Sequence, residues 1–151
     1  MDSDDEMNLL IRSLLFLWQL PQNIAGLGLL AFAKLARMHK GTTDGVHVLR
    51  RFWAGGVCLG EFVFVHEYCD RDDVRRHELG HRRQSRMLGP LYLLVVGIPS
   101  AILCTAARFS PYISRTYDDH FPENWANRLG GVTVPDKPAS SACKSPTTAK
   151  L

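Results

Sequence analysis

The sequence predicts an α+β, mostly helical, membrane-associated fold, and three observations carry that reading. Two long apolar segments lie at residues 8–37 and 88–107. Between them, residues 41–67 alternate glycines with short runs rich in Val and Phe. A strongly charged segment at 70–87 then precedes the second apolar run. With 151 residues, 46% of them apolar, the chain suits one compact domain with its own core. That domain is expected over residues 1–131. Residues 132–151, rich in Pro, Ser, Thr and Lys, bury too little apolar surface to fold and are expected to be a disordered tail.

In the first apolar segment, Leu9, Leu10, Leu14, Leu15, Phe16, Leu17 and Trp18 precede a break at Pro21-Gln22-Asn23. Residues 24–36 are apolar again. Together they reach the roughly 20 residues that a bilayer span requires. Arg12, Gln19, Gln22 and Asn23 also fit a helix packed on protein. Lys34, Arg37 and Lys40 follow, and the excess of basic residues on cytoplasmic sides would place this end there. Asp2, Asp4, Asp5 and Glu6 stand where a secretory signal would be basic, so no signal peptide is expected.

In the glycine-rich stretch, residues 46–49 and 61–66 read as strands joined through a turn at 53–56, a small β-hairpin. Its free edge could take an extended peptide as an added strand. In the charged segment, Asp70, Asp72 and Asp73 come first and Arg82, Arg83 and Arg86 last, which complements a helix dipole. Asp70 or Asp72 is the expected N-cap. The second apolar segment carries no charge from 88 to 107, and Gly97 and Pro99 interrupt it. A straight helix there would rise about 30 Å. Two half-helices bent into a hairpin at this break would instead return the chain to its starting level. A short helix is expected over 123–129, closed by Gly130-Gly131. The four cysteines, Cys58, Cys69, Cys104 and Cys143, match no disulfide or zinc framework and are expected to be free thiols. The net charge of +3 is too small for a nucleic-acid face, and no nucleic-acid partner is expected.

The chemistry concentrates in His77-Glu78-Leu79-Gly80-His81. Histidines at i and i+4 share one helix face, so their imidazoles can converge on one metal ion. Zn2+ is the common occupant of two neutral nitrogens with an oxygen ligand. Glu78, one step round from His77, is placed to act as general base and acid on a water activated by the metal. Glycine at 80 costs a helix about 1 kcal/mol, so a close neighbour is expected to need the space. A catalytic zinc also needs a third protein ligand, and Glu123, Asp118, Asp119 and His120 are the downstream candidates. Tyr112, Tyr117, Arg115 and His120 are weaker candidates for stabilising an oxyanion. His47 and His66 are expected to be structural.

The pair of segments His77-Glu78-Leu79-Gly80-His81 and Glu123-Asn124-Trp125-Ala126-Asn127 resembles the gluzincin metallopeptidases, in which a downstream glutamate is the third zinc ligand and an acid follows it. Here Glu123 matches the ligand and Asn127 stands where that acid would be. Further words extend the likeness to a group of small bacterial membrane proteins: Leu20-Pro21-Gln22-Asn23, Leu59-Gly60-Glu61-Phe62, Gln84-Ser85, Leu88-Gly89-Pro90-Leu91-Tyr92-Leu93, Gly97-Ile98-Pro99-Ser100 and Arg128-Leu129-Gly130-Gly131. The likeness covers residues 14–131. It implies a metallopeptidase-like membrane protein and nothing finer; with the basic exit of the first segment, the expectation is a zinc metallopeptidase of the bacterial inner membrane, its active site facing the cytoplasm, with lipid and a peptide or protein substrate as partners. The competing reading is a non-catalytic zinc-binding membrane protein, and a plain membrane adaptor without metal is the third.

Overall fold

The computed structural model describes residues 3–52 and 54–133, with side chains from Asn8 onward. The fold is α+β: ten regular helices and strands, joined by short 3-10 turns and one π-helical stretch. They are α1 (Ser3–Trp18), α2 (Leu20–Leu35), β1 (His39–Thr43), β2 (Val46–Leu49), β3 (Gly56–Leu59), β4 (Phe62–His66), α3 (Asp72–Leu88), α4 (Ile98–Phe109), α5 (Pro111–Thr116) and α6 (Glu123–Gly130).

The strands form one mixed sheet in the order β1-β2-β4-β3. The expected hairpin between 46–49 and 61–66 is corrected: β2 and β4 run parallel, Val46 facing Val63 and Leu49 facing His66. Residues 56–59, which start at the end of the expected 53–56 turn and were not expected as a strand, form one antiparallel to β4. β1 was not anticipated. The reason is visible in burial. Val63, Phe64 and Val65 are fully buried, as in a central strand covered on both faces, and such a run does not reveal its partners.

The sheet lies between two helices. Leu49, Phe52, Ala54 and Phe64 pack with Ala33, Leu29, Leu30 and Met38 on the α2 side. Val46, Cys58, Val63, Val65 and Cys69 pack with Val74 and Leu79 of α3. Burying each large apolar side chain contributes about 1.5–3 kcal/mol. On its far face, α3 packs against α6.

The first apolar segment breaks at Gln19, two residues before the expected point, and Pro21 sits in the first turn of α2, where its missing N–H costs nothing. Of the polar residues that interrupted its apolar pattern, Arg12 is exposed, while Gln19, Gln22 and Asn23 are buried against the protein. Gln19 donates from Nε2 to Glu61 at 2.9 Å and accepts from Ser85 Oγ at 2.7 Å. Gln22 donates to Ser85 Oγ and to the Gly89 carbonyl. Asn23 Oδ1 accepts from the Glu61 N–H at 2.8 Å. The opposite side is bare: Leu14, Leu17, Ile24, Leu27 and Phe32 are all more than half exposed. Among the described residues no single helix is long and apolar enough to cross a membrane. The stretches Asn8–Trp18 and Leu20–Leu35 reach that length together but bend by 92°.

The second apolar segment does not fold back at Gly97 and Pro99. It continues helically as Leu93–Phe109, with a π-helical stretch at Leu93–Gly97. Proline clashes with the carbonyl four residues back. The wider π turn, closed by Ile98 N–H on the Leu93 carbonyl, takes up that clash ahead of Pro99. The chain turns after Phe109, and Ser110 caps α5 by accepting from the Ile113 N–H. α4 has no buried residue, and Ile98, Ile102 and Phe109 are exposed.

Two smaller expectations also change. Arg71 occupies the N-cap of α3 without a side-chain bond, while Asp70 holds Arg75 through two bonds at 2.5 and 3.0 Å. Cys58 and Cys104 are free thiols, but Cys69 is disulfide-bonded, since spacing along the chain says nothing of approach in space. Cys143 and the tail from residue 134 lie outside the described residues, as does Trp53.

Candidate metal centre

α3 presents His77 and His81 on the face that meets α6, and Glu123 opens α6 opposite them. This meeting requires backbones in close contact. A Cβ on Gly80 would collide with the carbonyl of Ala126, and one on Gly130 with the carbonyl of Arg76. The space that Gly80 was expected to leave is therefore filled by the helix that carries Glu123. The C-terminus of α6 closes on Gly131 in the left-handed conformation, at φ 67°, as expected for that glycine pair.

Glu123 Oε2 lies 2.9 Å from His77 Nε2 and 3.3 Å from His81 Nε2. One donor atom from each of the three residues lies within 4.8 Å of the other two. Ligands about 2.0–2.1 Å from a tetrahedral ion stand about 3.3 Å apart, so the observed spacings suit a zinc-sized cation. The outer nitrogens orient the rings. His77 Nδ1 donates to Asn127 Oδ1 at 2.7 Å, and His81 Nδ1 donates to Gln84 Oε1 at 2.7 Å. A carbonyl oxygen only accepts, so both Nδ1 atoms carry hydrogen and both Nε2 atoms point inward. Gln84 is held in turn by donating to the Pro122 carbonyl at 3.1 Å. Ser100 of α4 donates to Glu123 Oε1 at 2.5 Å, leaving Oε2 for the histidines.

Without a cation the cluster shares protons. Burial works against a charged His77, but the Glu123 hydrogen bond and the Glu78 and Glu123 charges outweigh it and lift its pKa to about 9. Burial likewise works against a charged Glu123, yet hydrogen bonds from both histidines hold its carboxyl far below the usual range. Glu78 is buried, and that burial pushes its pKa up. Its Oε2 has no partner. Gly56 of β3 packs directly against its carboxyl group. A buried polar atom with no partner costs about 1–3 kcal/mol, and Gln22 Oε1 is the other such atom among the described residues.

The structure thus brings His77, His81 and Glu123 together, with Glu78 beside them and Asn127 on the His77 ring. Asn127 also donates to Asp118 at 3.4 Å, so an acid does stand behind His77, one hydrogen bond further out. The other competitors lie outside the group: His120 pairs with Thr116, and the Asp119 carbonyl accepts from Asn124. Tyr117 is half-buried and hydrogen-bonds Ser100, and desolvation raises its hydroxyl pKa. Tyr112 is exposed. His66 accepts from the Tyr68 N–H at 3.1 Å, a structural role as expected. Gln84 and Ser100 were not anticipated. Gln84 had a signal, because it stands three residues after His81 on the same helix face. Ser100 had none. Compared with known proteins, the chain matches no family model, no curated protein and no solved structure.

Proposed function

We propose that this protein is a zinc-dependent membrane endopeptidase. The reading rests above all on one observation: two inward-facing Nε2 atoms and a buried carboxylate oxygen converge beside a second buried carboxylate, Glu78, that has a free oxygen. The donor set fits zinc, with His77, His81 and Glu123 as ligands. Zinc supplies Lewis acidity there and lowers the pKa of water toward about 7. Glu78 takes the proton of the attacking water and passes it to the leaving amine. Asn127 and Gln84 hold the two rings, and Ser100 holds Glu123. The substrate is a peptide lying along the outer edge of β3, the edge strand next to Glu78. Tyr92 already donates to the Cys58 carbonyl at 3.2 Å, so pairing would centre nearer Gly56.

The bare apolar sides of α1, α2 and α4 support placement against lipid, because a contiguous apolar surface of this kind calls for a covering. Lys34 and Arg37 at the end of α2 support a cytoplasmic site, in the bacterial inner membrane that the resemblance implies. A non-catalytic zinc protein is the second reading. It is favoured by the neutral amide of Asn127 where a carboxylate would make His77 a more basic ligand.

Metal content separates these readings. Detergent-purified protein is expected to retain about one zinc per chain, lost in His77→Ala and Glu123→Ala. Glu78→Gln should keep the zinc and lose peptide hydrolysis by about 100-fold or more. Hydrolysis undiminished in Glu78→Gln would end the catalytic assignment. Absence of zinc after reconstitution at neutral pH would end both readings.

A further inference from the structure

The hairpin of β1 and β2 carries a second histidine cluster that the proposed chemistry does not use. His39 Nε2 lies 3.4 Å from His47 Nδ1. Thr42 Oγ1 lies 2.9 Å from His47 Nδ1 and 3.4 Å from His39 Nε2. In a regular strand, residues three apart point to opposite faces, so His39 and Thr42 should diverge. The pairing explains why they do not. His39 stands opposite Leu49 and Gly41 opposite Val48, so Lys40 is an extra residue. Such a bulge inverts the alternation and re-aims a side chain. Thr42 is the direct cross-strand partner of His47, and partners share a face. The bulge therefore brings all three groups together. The His47 ring is held from behind, against Phe64 at 5.3 Å and Phe62 at 6.3 Å between ring centres.

We propose that His39, Thr42 and His47 form a second metal site, taking a borderline divalent transition metal such as Cu(II) or Zn(II). Ligands about 2.1 Å from one ion stand about 3.0–3.4 Å apart, and the three sides of this triangle, 2.9, 3.4 and 3.4 Å, fit that spacing. The cation replaces the hydrogen shared between the two rings and takes a lone pair of the hydroxyl. Two imidazoles select such metals over Mg2+ and Ca2+, which want oxygen cages. The exposed side at Thr42 leaves the remaining positions to water. The site lacks a carboxylate, and the positive charge of Lys34 bears on His47. It is therefore expected to bind more weakly than the buried centre.

The test is a Cu(II) titration of the full-length protein in the His77→Ala background, followed by electron paramagnetic resonance. About one copper per chain is expected, coordinated by two nitrogens. Adding His39→Gln should remove this copper or reduce its signature to one nitrogen, with the thermal transition unchanged. Thr42→Val should weaken binding and keep both nitrogens. Equal copper binding with and without His39→Gln would overturn the proposal, as would no uptake at all. Because His77→Ala removes the buried centre, failure here is separate from failure of the peptidase reading.

Discussion

His77 and His81 meet Glu123 across two packed helices, whereas His39 and His47 meet Thr42 across a bulged hairpin. The first cluster is buried and contains a carboxylate. That carboxylate is fully inaccessible, and each ring is oriented through its outer nitrogen. The second is partly open to solvent, with a hydroxyl in place of the carboxylate. The difference teaches what a carboxylate does for a metal centre. In the metal-free protein Glu123 draws protons onto His77, so a zinc ion must displace a firmly held proton. The hairpin cluster holds no such charge, and burial together with His39 and Lys34 lowers the His47 pKa.

pH separates the two most strongly. The raised His77 pKa stabilises the zinc-free protein fully below about 6.5, and this stability is lost as pH rises through about 9. The loss is expected to reach about 3 kcal/mol at most. Zinc needs His77 deprotonated, so the stability gained on adding zinc should grow across the same window. Denaturant titrations at several pH values, with and without zinc, read both slopes. A zinc-free protein equally stable at both ends of the window would show that the helix pair holds no proton.

Gly80→Ala comes next. A methyl group there meets the Ala126 backbone, which cannot swing aside, so α3 and α6 must separate. The usual gain from replacing a helical glycine should be reversed into a loss of about 1–3 kcal/mol. Zinc affinity should fall with it, while copper binding at the hairpin stays unchanged. Chemical denaturation and zinc dialysis of the variant would show whether the two clusters are independent.

Asn127→Ala should have the smallest effect. It frees the His77 ring and leaves all three zinc ligands in place, and a zinc affinity lower by about tenfold is expected. Competition with a chelator would measure it. An unchanged affinity would mean that helix packing, rather than the Asn127 bond, orients His77.

The helix cluster was legible because its geometry is local. A spacing of four residues puts His77 and His81 on one face wherever the helix lies, and Gly80 announced a close neighbour. Glu123 and Asn127 share the same periodicity on their own helix. The hairpin cluster was not legible, since a spacing of three in a strand predicts divergence. Only the unpaired residue at Lys40 reverses that prediction, and a bulge depends on the partner strand. The parallel pairing of β2 with β4 was hidden for a related reason: alternation marks a strand but does not choose its neighbour.

By itself, then, the sequence determined the mostly helical α+β character, the helix bearing the two histidines, the Gly131 cap and the residues able to ligate a metal. These follow from near-neighbour sterics and from side-chain chemistry. Tertiary structure alone decided the strand order, the sharp bend at Gln19, the π turn ahead of Pro99, and the roles of Gln84 and Ser100 in holding His81 and Glu123. Each of these depends on groups distant in sequence meeting at van der Waals or hydrogen-bond distance, and local pattern carries no information about such meetings.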